Sequence, residues 1–236
     1  MLSTRLIVIL LLMTLSPSIS LAQKKTVLII KDNIAIKQHI LESINNAHDN
    51  IKIVMYGFTD LSIAKALTKA QKRGVHIKII LESSPYRAKN ENKTITALLK
   101  KQHIPLKLST PTFKYTHQKS IIIDHKQLDI LTGNFTYSAQ HQRNYLYTTH
   151  NPSQINEALT QFTTDWLHIN NSQKQSSNLI WSPDNSKQKI NTLLNSAHST
   201  IKIEMQSLNY TPIINLLIKK ADQGVNIQII LPSVYH

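Results

Sequence analysis

The strongest structural signal in the sequence lies in two apolar runs, Ile51-Lys-Ile-Val-Met-Tyr56 and His76-Ile-Lys-Ile-Ile-Leu81. Both runs are rich in β-branched residues, so each predicts a buried strand. Between them, a helical pattern extends from about Asp60 to Arg73, and Gly74 follows as its C-terminal stop. A further helix ends near Ala47. Alternating strands and helices of this length predict an α/β fold in which helices sandwich a mixed sheet.

The same unit occurs twice. Residues 37–83 align without a gap on residues 187–233, at a constant offset of 150, and 20 of the 47 pairs are identical. Identity of this extent indicates an internal duplication. The second copy predicts a strand over Ile201–Gln206, a helix over Thr211–Gln223 and a strand over Asn226–Leu231.

The segment between the copies continues the first repeat and sets the predicted domain boundaries. It predicts a helix near Thr94–Lys101, strands near Ile104–Leu108, His117–Asp124 and Leu128–Leu131, and a helix over Pro152–Ile169. A polar stretch then marks a linker at residues 171–177. We therefore expect a first domain over residues 23–170 and a truncated second repeat over residues 178–236, without a counterpart of residues 87–169.

The N-terminus predicts export. Arg5 precedes ten almost purely apolar residues, Leu6–Leu15, and the small-residue tripeptide Ser20-Leu-Ala22 follows. This arrangement is typical of a signal peptide over residues 1–22, cleaved after Ala22. The alternative is a membrane anchor, but ten residues cover only about half of the roughly 20 that a bilayer core requires. We expect a periplasmic or secreted protein.

The composition restricts the chemistry. The chain lacks cysteine, which excludes disulfides, thiolate catalysis and Cys-based zinc sites. Its 11 histidines show no spacing typical of a helical metal site, so we expect neither a metal nor another cofactor. The formal net charge of +14 favours anionic partners such as phospholipid head groups or nucleic acid. A merely solubilising surface explains that charge equally well.

One motif predicts catalysis. Residues 116–124 read Thr-His-Gln-Lys-Ser-Ile-Ile-Ile-Asp, which fits the pattern His-x-Lys-x4-Asp. In a strand, alternation places His117 and Lys119 on one face, where an imidazole and an ammonium suit an anionic phosphodiester. Asp124 has the opposite parity and lies at the end of the strand, so we include it in the catalytic set with an orienting or structural role.

This motif resembles that of the phospholipase D superfamily. The family follows it with a Gly-Ser-x-Asn element that contacts phosphate, and Thr132-Gly-Asn-Phe-Thr136 is similar to that element with two residues missing after the glycine. The resemblance implies His117 as nucleophile and Lys119, Gly133 and Asn134 as phosphate-binding residues. It also implies a phosphohistidine intermediate without a metal.

The sequence departs from the family in two places. Family members often carry an acidic residue shortly after a downstream asparagine, and Asn144-Tyr-Leu-Tyr147 offers no carboxylate there. In addition, the family brings two motifs together, and the offset of 150 places the second near position 267, beyond His236. A homodimer or a completing chain would then supply the second motif.

These observations predict an exported hydrolase that acts on phospholipid head-group phosphodiesters. A non-specific nuclease of the same superfamily is the alternative within the enzymes, because both reactions use the same phosphate chemistry. A different class is also open: a catalytically inactive protein that binds anionic surfaces, such as a membrane.

Overall fold

The computed structural model describes residues 27–86, 88, 90–109, 113–169 and 177–233. The first part of the chain contains strands and helices in the following order: β1 (Val27–Ile30), α1 (Asn33–Asn45), β2 (Asn50–Met55), α2 (Leu61–Lys72), β3 (His76–Leu81), α3 (Lys93–Lys101), β4 (Leu106–Leu108), β5 (Ser120–Ile123), β6 (Gln127–Leu131), β7 (Leu146–Thr149) and α4 (Pro152–Leu167). The second repeat contains α5 (Ser186–Asn195), β8 (Thr200–Glu204), α6 (Thr211–Asp222) and β9 (Asn226–Ile230).

The strands described before α4 form one mixed sheet in the order β1-β7-β6-β5-β2-β3-β4. Strand β2 lies near its centre, parallel to β3 and antiparallel to β5. The main core packs α1, α2 and α3 against one face, with Ile53, Leu67 and Leu99 fully buried. Helix α4 covers the opposite face through Ile155 and Phe162. The predicted fold class, a mixed sheet sandwiched by helices, is confirmed.

Local signals set the ends of α2. Asp60 caps its N-terminus, because its carboxylate accepts a hydrogen bond from the Ser62 backbone N–H at 2.8 Å. Gly74 follows the C-terminus with φ +98°, a backbone conformation that favours glycine. Gly224 repeats this geometry after α6 with φ +85°. The duplicated unit therefore ends its helix in the same way in both copies. The helix begins differently, because Tyr210 stands in the place of Asp60 and provides no side-chain cap for α6.

The second repeat reproduces the strand pairing of the first. Strands β8 and β9 are parallel, and Ile201 faces Ile227 as Ile51 faces Ile77 in β2 and β3. These two strands form a sheet of their own within the described residues. Leu194, Ile201, Leu217 and Val225 form a small separate core.

Several boundaries differ from those predicted. Strands β1 and β7 were not predicted, because each is only four residues long and carries a weak pattern. The predicted strand over 117–124 is shorter in the structure, where β5 covers Ser120–Ile123. Leu179, in the segment assigned to the second repeat, packs with Ile122 and Ile155 of the first.

Two predicted segments lie largely outside the described residues: the signal peptide, residues 1–22, and the linker, of which only Ser177 is described. Within the described ranges, none of the helices combines the length and apolarity needed to cross a bilayer.

Candidate active site

The candidate site lies at the edge of the sheet where β2 and β3 end and β5 begins. Because β5 runs antiparallel to β2, the residues before β5 meet the residues after β2. The loop after β6 reaches the same edge, since the Phe135 backbone N–H donates to the Gly57 carbonyl at 3.0 Å. Three chain segments that are distant in sequence therefore converge on one place.

His117 and Lys119 meet at this edge. Lys119 Nζ lies 3.3 Å from His117 Nε2 and donates to the His117 carbonyl oxygen at 2.9 Å. Both residues precede the assigned start of β5, although the Lys119 carbonyl still accepts a hydrogen bond from the Leu131 backbone N–H of β6 at 2.9 Å. The Lys119 side chain folds back beside the imidazole, so the two residues that the motif paired lie together in the structure.

Burial sets the charge state of both groups. Lys119 is 5% exposed, and burial lowers the pKa of its ammonium to about 8. Burial also lowers the pKa of His117, the positive charge of Lys119 lowers it further, and the negative charge of Glu82 opposes both effects. At neutral pH, His117 is therefore mainly the uncharged imidazole that a nucleophile requires.

Aromatic rings surround the pair. The Tyr56 ring meets the His117 ring edge-on at 4.6 Å between centroids, and Lys119 Nζ lies 5.2 Å from the Tyr56 centroid. Tyr115 packs against both Tyr56 and Tyr86, in each case at 6.3 Å. The rings of Tyr56 and Tyr115 thus form a wall beside the imidazole.

Gly133 and Asn134, the predicted phosphate-binding residues, lie at the neighbouring end of β6. Asn134 Oδ1 accepts a hydrogen bond from the Gly57 backbone N–H at 3.3 Å. A Cβ atom on Gly133 would lie 2.7 Å from Cγ of the buried Asn144 side chain, so only glycine fits there. Asn144 in turn donates to the Ala139 carbonyl at 2.8 Å and holds the loop after β6 in place.

A small recess lies behind this loop. Gly133, Asn134, Asn144 and the ion-paired Lys37 and Asp60 line it. Neither His117 nor Lys119 belongs to its lining, so we place the reaction at the exposed edge beside His117.

Asp124 is not brought together with His117 and Lys119. It follows the opposite end of β5, and its carboxylate accepts hydrogen bonds from the backbone N–H groups of His48, Asp49 and Asn50 at 2.9, 2.8 and 2.9 Å. This carboxylate fixes the loop that enters β2. Its geometry supports the structural part of the predicted role and places it away from the reacting groups.

Sequence reasoning missed Tyr56, Gly57 and Glu82. Tyr56 and Gly57 are the first two residues after β2, and Glu82 is the first residue after β3, at the edge where the site forms. A signal for them existed in the duplication, because these positions carry Gln206, Ser207 and Pro232 in the second copy. The two copies agree within their strands and diverge where the strands end.

Comparison with known proteins places this geometry in a family. The family model described as "Cardiolipin synthase, PLD-like domain" matches residues 40–166, which is more than half of the chain. The chain belongs to the phospholipase D superfamily. The membership predicted from the motif is therefore confirmed, and members of this family act on phosphodiesters and often dimerise.

Curated relatives agree with this assignment over part of their length. The chain is 34% identical to a phospholipase D of Rickettsia prowazekii over 101 residues, and 33% identical to that of Rickettsia typhi over 100 residues. Each match covers 42% of this chain. The matched stretch spans about half of these relatives, 47% and 46% respectively.

Solved structures show the same fold. The phospholipase D family member Nuc from Salmonella typhimurium aligns with a TM-score of 0.56 and 24% identity, over 61% of this chain and 95% of Nuc. The polyphosphate kinase of Porphyromonas gingivalis aligns with a TM-score of 0.69 and 17% identity, over 89% of this chain and 38% of the kinase. The second alignment therefore extends the shared fold into the second repeat.

Proposed function

We propose that this protein is an exported phosphodiesterase that hydrolyses phospholipid head-group esters through a phosphohistidine at His117. The observation that carries the proposal is the placement of an uncharged, exposed imidazole 3.3 Å from a buried ammonium. The phospholipase D relatives in Rickettsia support a lipid substrate.

The chemistry uses the lone pair of His117 Nε2. Its attack on phosphorus forms an N–P bond while the P–O bond to the alcohol breaks, and the leaving oxygen takes up one proton. Water then attacks phosphorus and the N–P bond breaks, so the net reaction consumes one water and yields an alcohol and a phosphomonoester. Before binding, Lys119 lies against Nε2. An incoming phosphate draws that ammonium onto its own oxygens and leaves the lone pair available.

The leaving group needs a proton donor on the side of phosphorus opposite His117, and one imidazole cannot occupy both positions. We therefore expect a second copy or a completing chain to supply a second His-x-Lys pair. Specific activity should then rise with protein concentration through the dimerisation range, measured by activity and light scattering on the same samples. Full turnover by a monodisperse monomer would contradict this arrangement.

A nuclease is the second candidate, and exposed aromatic residues next to the site favour it. Tyr86 is 60% exposed, and its ring lies 6.3 Å from the ring of Tyr115. Phe113 is 44% exposed and precedes Tyr115 by two residues in the sequence. Aromatic faces beside a cationic site can stack with unpaired bases. The net charge of +14 supports binding of either polyanion.

A substrate panel separates the candidates. Purified protein is incubated in chelator with phosphatidylcholine, cardiolipin, single-stranded DNA and plasmid DNA. Release of head groups supports the first candidate, and cleavage of DNA alone supports the second. His117→Ala should abolish turnover and leave vesicle binding intact, whereas the exposed His198→Ala serves as the matched control with wild-type activity. Salt-sensitive binding without any turnover in the wild type would identify a binder of anionic surfaces.

The ammonium of Lys119 predicts an alkaline limit to activity. Because its pKa lies near 8, kcat/KM should fall above about pH 8 as the phosphate-binding charge is lost. Lys119→Arg keeps its charge to a much higher pH, so the alkaline limb of the profile should move upward even if kcat is lower. An unmoved alkaline limb would assign that titration to another group.

Export has its own test. The protein secreted into the periplasm or medium should begin at Gln23 by N-terminal sequencing, and deletion of residues 1–22 should retain it in the cytoplasm. An exported protein that still begins at Met1 would identify an uncleaved anchor.

A further inference from the structure

Glu82 is a buried carboxylate that connects three segments next to His117. It follows β3 directly and is 4% exposed. Its Oε2 accepts hydrogen bonds from the Thr116 backbone N–H at 2.6 Å and from the Ser109 hydroxyl at 3.1 Å. Its Oε1 accepts a hydrogen bond from the Ser84 backbone N–H at 2.8 Å. The carboxylate therefore fixes the residue immediately before His117 to the ends of two strands.

The charge of Glu82 also reaches the imidazole. It opposes the effects of burial and of Lys119, which both disfavour a positive charge on His117. Among the described residues, no carboxylate forms an ion pair with Lys119. Another carboxylate, Glu91, also lies at this edge, beside Gly57. Glu82 is the carboxylate whose charge raises the pKa of His117 among the described residues.

We propose that Glu82 is a positioning residue for His117. Its carboxylate holds the Thr116–His117 backbone in place and stabilises the positive charge that develops on the His117 ring. This inference rests on the proposed function. When Nε2 of a neutral imidazole bonds to phosphorus while Nδ1 keeps its proton, the ring becomes cationic. A fixed negative charge nearby lowers the energy of that state, and it acts without reorganisation because backbone and hydroxyl donors already hold it.

The duplication supports a role at the site over a role in the fold. The strand before Glu82 recurs in the second copy as Asn226–Ile230, but the position of Glu82 carries Pro232 there. The strand–helix–strand unit forms in both copies. A carboxylate at this position is therefore not required by the unit itself, and it occurs in the copy that carries His117.

The test compares Glu82→Gln, Glu82→Asp and the matched control Glu157→Gln. Glu157 also accepts several hydrogen bonds, from the Asn178 backbone N–H and the Trp181 indole among others, but it lies on α4. With bis(p-nitrophenyl) phosphate as the probe, Glu82→Gln should lower kcat about 10- to 100-fold with little change in KM. Because the pKa of His117 falls further, the acid limb of kcat/KM should move to lower pH. Glu157→Gln should change neither quantity.

A titration of His117 by NMR gives a readout that does not depend on turnover. The His117 resonance is assigned by its loss in His117→Gln, and its midpoint should decrease in the order wild type, Glu82→Asp, Glu82→Gln. If Glu82→Gln does not fold, the Asp variant alone decides, because its shorter side chain withdraws the carboxylate from Thr116. An unchanged midpoint overturns the inference. A shifted midpoint in a protein that cleaves no phosphodiester supports the placement of Glu82 and overturns the proposed function instead.

Discussion

The two copies of the duplicated unit share their sequence and their strand pairing, yet they differ in burial. Ile79 and Leu81 in β3 are fully buried, whereas their counterparts Ile229 and Leu231 are 39% and 45% exposed. Leu67 and Leu217, which face inward within the unit itself, are buried in both copies. The local sequence therefore specifies the strand–helix–strand unit. In the first copy, contacts with β4, β5 and α3 additionally bury side chains that are exposed in the second copy.

The largest expected effect tests this difference directly. Ile79→Ala should lower the free energy of unfolding by about 2–5 kcal/mol, because it leaves a cavity in a closed core. Ile229→Ala removes the same atoms from a partly exposed side chain and should cost about 1 kcal/mol or less. Urea unfolding followed by circular dichroism measures both variants. Equal costs would show that the second sheet is covered in solution as completely as the first.

Asp124 allows a second test of the same difference, with a smaller expected effect. It lies outside the duplicated unit and binds the backbone of the first copy through its carboxylate. Burial raises the pKa of its carboxyl, but the backbone N–H groups of His48, Asp49 and Asn50 outweigh burial and hold the pKa below its usual value. Asp124→Asn should cost about 1–3 kcal/mol at neutral pH through lost charge-assisted hydrogen bonds. A lowered carboxyl pKa contributes stability that is present above the unfolded pKa and lost as pH falls through the folded pKa. The cost of the variant should therefore shrink below about pH 4.

Asp124→Asn should leave the midpoint of the acid limb of kcat/KM unchanged, since His117 lies at the other end of β5. A shifted midpoint would return Asp124 to the catalytic set. The pH dependence of unfolding and the pH profile of activity thus distinguish a structural role from a catalytic one.

What the sequence could predict is divided in the same way, between features of the local unit and long-range contacts. The unit itself and the stop at Gly74 could be predicted, because they depend on periodicity and on local backbone chemistry. The proximity of His117 and Lys119 was predicted, but from a strand that in fact begins at Ser120. The duplication marks the position of Glu82, which carries Pro232 in the second copy, but it does not show what the carboxylate contacts. That contact could not be predicted, since the bond to Thr116 joins residues 34 positions apart.

A third prediction concerns a feature that the copies share. Gly74 and Gly224 both have positive φ, and a Cβ atom at either position would meet nothing within 4 Å. Replacement by alanine should therefore cost only backbone strain, about 1 kcal/mol in each copy. Nearly equal shifts of the urea midpoints would confirm that the turn is a local property of the unit. A cost confined to Gly74 would show that tertiary contacts fix this turn as well.

The smallest expected effect comes from a position where the two copies carry different residues. His39 on α1 lies 3.3 Å from the fully buried Asp129, and its counterpart in the second copy is Lys189. The hydrogen bond to Asp129 raises the pKa of His39, burial opposes it, and the charge of Asp129 adds to the increase. A raised histidine pKa contributes stability that is fully present below the unfolded pKa of about 6.5 and lost as pH rises through the folded value.

The stability difference between wild type and His39→Gln should therefore be largest near pH 5.5 and diminish above pH 6.5. His117 titrates with the opposite sign, because its pKa is lowered, but it is present in both proteins and its contribution cancels in the difference. Urea unfolding followed by tryptophan fluorescence measures that difference at each pH, because Trp166 belongs to α4 and Trp181 packs against this helix. A pH-independent difference would mean that His39 stabilises the sheet by packing and not through its charge.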